Sequence, residues 1–154
     1  MPALQPIVNI DKCVLAKIEV VARRQLPLET GGALLGCWLR PEEVSVFEMT
    51  CAGPRGVATR SSFVPDVQYI DDELRARWGE SHGLIAYLGD WHTHPNLLRP
   101  RLSFRDRRTV KATSRSMPDQ RLIHMLVGVG LETFSPTVWF CRRGHILCSR
   151  LEVH

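Results

Sequence analysis

The sequence predicts an α+β domain built as an α/β/α sandwich, with a mixed β-sheet flanked by about three helices. Three observations lead to that class. Apolar residues recur at helical spacing in separate segments, apolar and β-branched runs of strand length lie between and after them, and no repeat, low-complexity tract or long linker divides the chain. At 154 residues and 44% hydrophobic content, the span 1–154 suits one compact domain with its own core.

Asp11 is placed to cap a first helix, in which Val14, Ile18 and Val21 recur at helical spacing until Pro27 stops it. Two β-rich runs follow, Ala33 to Leu39 and Val44 to Thr50, and the turn residues Arg40, Pro41 and Glu42 between them make a hairpin. Ser61 to Val64 reads as a short strand. After Pro65, with Asp66 as cap, Val67, Ile70, Leu74 and Trp78 mark a second amphipathic helix ending near Gly79. Leu84 to Trp91 has the length of a buried strand and delivers the chain to His92, Thr93, His94 and Pro95. A third helix starts at Ser103. Leu122 to Val129, Thr137 to Cys141 and His145 to Leu151 supply the last strands.

Bulk properties narrow the function. No stretch reaches the roughly 18 apolar residues of a membrane span, and the opening MPALQPIVNIDK lacks a charged leader followed by an apolar core, so a membrane or secreted role is not expected. The five cysteines, Cys13, Cys37, Cys51, Cys141 and Cys148, include no C-x-x-C pair; they read as small core residues in a reducing cytoplasm. Net charge is +4, and five arginines crowd one segment: Arg99, Arg101, Arg105, Arg107 and Arg108. No nucleic-acid-reading signature accompanies them, which favours a solvated helix face or a rim for an acidic protein partner over nucleic acid.

The chemistry centres on two short motifs. Residues i and i+2 of a strand point to the same side, so His92 and His94 can aim both imidazoles at one point, and Pro95 turns the chain away at the sheet rim. Alone, H-x-H-P is equally a pair of hydrogen-bonded strand-end residues. Ser103 and Asp106 form S-x-x-D ahead of a helix, which is also the pattern of an ordinary capping box. In a capping role Asp106 turns back to backbone N–H groups, and in a metal role it faces the histidines. Two histidines and a carboxylate would leave a fourth tetrahedral position for water, as a catalytic zinc site requires. Hydrolysis then needs a proton carrier, and Glu29, ahead of Gly31 and Gly32, is the candidate; the plain alternative is a surface loop glutamate. Ser103 could donate a hydrogen bond to an oxyanion.

Together, Glu29, His92-x-His94-Pro95 and Ser103-x-x-Asp106 resemble, in order and close to spacing, the JAMM motif of the JAB/MPN metalloprotease family. ETGGALLG at 29–36 and GDWHTHP at 89–95 are similar to short prokaryotic members. The resemblance implies a cytidine-deaminase-like JAB/MPN fold and one zinc ion per chain held by His92, His94 and Asp106. It also implies Glu29 as general base and acid, and Ser103 as the oxyanion helper. The implied reaction is peptide or isopeptide hydrolysis at the end of a ubiquitin-like protein or a conjugated protein C-terminus. Similar bacterial members accompany ubiquitin-activating-like and conjugating-like enzymes, some in antiphage operons, while others trim sulfur-carrier proteins. Deconjugation is the expectation and trimming the alternative. A DNA-repair-associated relative fits less well, since such proteins resemble H-N-H-P-S-G and this chain has Asn96-Leu97 after the proline. Zinc nucleobase deaminases need H-x-E with P-C-x-x-C, which is absent. The non-enzyme alternative is a metal-free MPN-type protein-binding module.

Overall fold

A computed structural model describes residues 5–154. The first four residues, part of the opening segment read above as lacking a leader, lie outside the described residues. In chain order the elements are β1 (Ile7–Ile10), α1 (Lys12–Gln25), β2 (Gly31–Arg40), β3 (Glu43–Met49), β4 (Val57–Ala58), β5 (Phe63–Val64) and α2 (Val67–Glu80). Then come β6 (Ala86–Pro95), α3 (Phe104–Ser116), β7 (Arg121–Val129), β8 (Phe134–Arg142), β9 (His145–Cys148) and β10 (Arg150–Val153). Eight strands form one mixed sheet in the order β10-β1-β3-β2-β6-β7-β8-β9, and β4 with β5 makes a separate small hairpin. The fold class is α+β, with three helices on a mixed sheet.

Side-chain alternation along the strands divides the helices between two faces. Val14, Ile18 and Ala22 of α1 pack with Leu34, Leu88, Trp91 and Ile123 in the main core. Their strand neighbours point the other way: Ala33 and Leu35 meet Ile70 of α2, and Leu122 meets Val110 of α3. This puts α1 on one face and α2 and α3 on the other. Caps form where expected, Asp11 accepting from the Cys13 N–H and Asp66 from the Tyr69 N–H. No helix among the described residues is long and apolar enough to cross a membrane.

Three local readings change. The segment His145 to Leu151 is not one strand: β9 pairs with β8 at one edge of the sheet, β10 with β1 at the other, and Ser149 alone joins them. The Ser149 N–H donates to the Val138 carbonyl (2.9 Å) and the Arg150 N–H to the Pro6 carbonyl (2.8 Å), so the sheet curls until its edges meet, a long-range closure no local pattern encodes. Trp78 sits at helical spacing but is 55% exposed, because α2 covers only a short stretch of sheet through Ile70 and Leu74. Of the cysteines read as core residues, only Cys141 is buried; Cys13, Cys51 and Cys148 are exposed, lying in the first turn of α1, the loop after β3 and an edge strand.

One irregularity positions everything that follows. Leu34 pairs with Gly89 but Leu35 pairs with Tyr87, so β6 carries an extra residue at Leu88. The bulge reverses the alternation: Leu88 and Trp91 enter the α1-side core, while Asp90, His92 and His94 emerge on the face of α2 and α3. Gly89 takes φ +154°, and an added Cβ there would lie 1.7 Å from the Ile123 carbonyl oxygen. Only glycine fits.

Candidate metal and catalytic site

β6 and the first turn of α3 bring the motif residues together. The Nε2 atoms of His92 and His94 are 3.1 Å apart, Asp106 Oδ1 lies 3.4 Å from His92 Nε2, and Asp106 Oδ2 lies 3.7 Å from His94 Nε2. A tetrahedral ion with bonds of about 2.1 Å would separate its ligand atoms by about 3.4 Å. The three observed separations bracket that value. Two imidazole nitrogens and a carboxylate form a suitable donor set, so the residues fit a divalent metal, and among the described residues this is the one such group found.

Asp106 meets both of the orientations that its spacing left open. Its Oδ2 accepts from the Ser103 N–H at 2.7 Å while Ser103 Oγ accepts from the Asp106 N–H at 3.0 Å, a complete capping box. The same carboxylate faces both histidines, because the third position of α3 lies against the end of β6. Burial alone would raise its pKa, but the hydrogen bonds with His92 and with the Ser103 N–H, and the charge of His92, hold it well below the usual carboxylate range. His94 is shifted down by burial and by His92, against the pull of Asp106.

Glu29 is 8% exposed, so it is not a surface loop glutamate. The Thr30 N–H donates to Thr93 Oγ1 (2.9 Å), the Thr93 N–H donates to the Thr30 carbonyl (2.8 Å), and Gly31 pairs with His92. Continuing that register puts Glu29 across from His94 and on the same face. Gly31 supplies the clearance, since a Cβ there would come within 2.2 Å of the Trp91 carbonyl oxygen and 2.9 Å of His92 Cβ. Burial raises the Glu29 pKa above the usual range, partly offset by the charge of His92. A carboxylate kept near its proton in this way suits general acid–base work.

These side chains line one cavity of about 340 Å³. Ser61, Phe63 and Pro65 form one wall, Ser103, Arg105 and Thr109 the other, and Glu29, His92, His94 and Asp106 the floor. All five motif residues therefore meet in a single cleft. Ser103 Oγ accepts the Asp106 N–H, which leaves its hydroxyl proton free to donate.

Two neighbours were not read from the sequence. His124 on β7 is buried at the edge of the cavity, and its Nε2 lies 3.1 Å from His92 Nδ1. Burial first, and then the charge of His92, lower its pKa to about 3, so it is neutral near pH 7. When His92 Nε2 is left free for a metal ion, Nδ1–H donates to His124, fixing tautomer and ring orientation. Asp90 also reaches the cavity, with its pKa pushed up to about 6 by burial against the pull of Tyr87 and His92. Asp90 stands two residues before the H-x-H motif, but His124 lies inside an apolar strand and carries no local signal.

Comparison with known proteins agrees with the fold and with the family resemblance. The family of prokaryotic homologs of the JAB domain matches residues 12–142. A protein of Sinorhizobium fredii named "Probable metalloprotease y4qB" is 33% identical over 148 residues, covering 93% of this chain and 90% of that protein. The solution structure of protein DSY2949 from Desulfitobacterium hafniense superposes with a TM-score of 0.71 at 16% identity, covering 96% of this chain and 92% of that one, and this likeness bears on the fold alone. From the match over nearly the whole length, the chain belongs to the family of prokaryotic JAB-domain homologs.

Proposed function

We propose that this protein is a zinc metallopeptidase that hydrolyses the amide or isopeptide bond joining a ubiquitin-like protein, or a conjugated protein C-terminus, to its target. The supporting observation is the convergence of His92 Nε2, His94 Nε2 and the Asp106 carboxylate beside a buried Glu29. The metalloprotease name of the relative, 33% identical, points the same way.

His92, His94 and Asp106 would hold one zinc ion per chain. When bound, the ion lowers the pKa of a water to about 7 and polarises the scissile carbonyl. Glu29 takes the proton of the attacking water and returns it to the departing amine. Its raised pKa lets it hold that proton between the two steps. The Ser103 hydroxyl donates to the oxyanion of the tetrahedral intermediate from the rigid first turn of α3, at a position fixed before substrate arrives. His124 keeps His92 oriented.

The substrate half of the proposal rests on family resemblance, with activating-like and conjugating-like enzymes as companions, a reducing cytoplasm as the setting and antiphage defence as one context. The test is incubation with a ubiquitin-like protein joined through its C-terminus to the lysine side chain of a target peptide, alongside its C-terminally extended precursor, followed by intact-mass analysis. Release of the full-length ubiquitin-like protein and a free amine supports the reading. Removal of only a few terminal residues from an unconjugated precursor would indicate trimming instead. A folded protein that binds such a conjugate, takes up no metal and cleaves nothing would be a docking module.

A further inference from the structure

The two walls of the cleft differ in charge. The β5 side presents Ser61, Phe63 and Pro65. The α3 side presents Arg105, exposed at the lining of the cavity, with Arg99 and Arg101 exposed on the approach to the helix and Arg107 and Arg108 exposed on its first turns. Outside this segment, seven of the twelve arginines have a carboxylate within 4.0 Å, Arg23, Arg55, Arg77 and Arg121 among them. Among the described residues, none of the five arginines from Arg99 to Arg108 has a carboxylate within 4.0 Å, because the only acid in that stretch, Asp106, is turned inward to the histidines. Self-repulsion along such a ridge is relieved by an occupant carrying negative charge.

Leu98 (65% exposed) and Phe104 (84% exposed) are interleaved with these arginines. An alternation of guanidinium and apolar groups suits a polypeptide with acidic and apolar side chains better than a small free anion. A chain threaded across the cleft must pass Arg105, and an extended chain advances only about 3.3 Å per residue.

We propose that Arg99, Arg101 and Arg105 select substrates carrying aspartate or glutamate within about three residues of the scissile bond. This rests on the peptidase reading of the same cleft and names the chemistry of its substrate. The acidic side chains form charge-assisted pairs with the ridge while the scissile carbonyl lies over the cavity floor.

The test separates binding from turnover. Short fluorescein-labelled peptides share one sequence except for three consecutive glutamates, glutamines or lysines beside a central glycine. Anisotropy with the zinc-loaded Glu29→Gln protein should show the glutamate peptide binding at least about tenfold tighter than the glutamine peptide at low salt. The advantage should shrink as salt rises. In the Arg101→Gln/Arg105→Gln double variant on the same background, most of it should disappear. Equal binding of the glutamate and glutamine peptides overturns the proposal. So does single-stranded DNA of matched charge displacing the glutamate peptide at physiological salt. If the glutamate preference holds while the parent protein cleaves neither these peptides nor the ubiquitin-like conjugate, the peptidase reading fails and the ridge assignment stands. If the parent cleaves all three peptides at equal rates, the ridge assignment fails and the peptidase reading stands.

Discussion

Replacing Asp106 by asparagine and, separately, by alanine separates the helix cap that the carboxylate forms from the metal-ligand role proposed for it. Asparagine keeps an acceptor oxygen for the Ser103 N–H, now 2.7 Å from Asp106 Oδ2, so the capping box survives. Its other polar group is an N–H₂, which offers nothing to a cation and replaces the oxygen now 3.4 Å from His92 Nε2. Alanine removes the oxygens that face the histidines and the acceptor for the Ser103 N–H, while Ser103 Oγ still accepts from the backbone N–H at position 106. Losing that half of the capping box costs about 1 kcal/mol, which for a chain of this size lowers the melting temperature by about 2–4 °C. The two variants should therefore differ by that amount when metal-free. Both should lose zinc affinity by at least about 100-fold, since one of only three protein ligands is gone; that is about 2.7 kcal/mol. Melting of metal-stripped protein, followed by competition with a chromophoric chelator, measures the two terms separately. If Asp106→Asn holds zinc as tightly as the parent, the carboxylate is not a ligand. If the metal-free variants melt together, the bond from the Ser103 N–H to residue 106 adds no stability.

Three further predictions concern the surroundings. His124→Ala should weaken zinc binding by about 10- to 100-fold with partial recovery in His124→Gln, because His92 loses the partner at 3.1 Å that fixes its tautomer; affinity within twofold of the parent would remove His124 from the site. Glu29→Gln should keep near-stoichiometric zinc yet lose at least about 10²-fold in turnover. It should also stabilise the metal-free protein at neutral pH. The native Glu29 carboxyl binds its proton more tightly than the unfolded one, so the parent loses stability as pH rises through about 4.5 and levels off above the native pKa. The two melting curves should thus converge near pH 3, and a difference that persists there would contradict the sign of the shift. Gly89→Ala, whose Cβ would lie 1.7 Å from a backbone oxygen, should cost at least about 3 kcal/mol and disorder the bulge that orients the histidines; a melting temperature within about 2 °C of the parent would show that the strand relaxes freely.

What was legible in the sequence follows the range of the interactions involved. Helix starts at Asp11, Asp66 and Ser103 depend on bonds to residues two or three positions away, and all three form. The five motif residues were readable because the family order preserves them, and the cleft gathers all five. The spacing of S-x-x-D could not separate cap from ligand, and the two prove compatible, since Oδ2 serves the backbone while the carboxylate still faces both histidines. His124 was missed because its partner lies 32 residues away on the adjacent parallel strand, and within LIHMLVGV it reads as one polar residue in an apolar run. The same limit hid the closure at Ser149, where edges that are far apart in strand order are joined by one residue.

The most direct measurement is hydrolysis of a peptide-linked substrate by metal-stripped protein as zinc is titrated in. Activity should rise linearly and saturate at one equivalent per chain, be abolished by a chelator, persist after thiol alkylation, and be absent at every zinc level in a His92→Ala/His94→Ala variant that remains folded. Hydrolysis that is independent of added zinc, or that survives in that double variant, would contradict the assignment of this cleft as the metal-dependent peptidase centre.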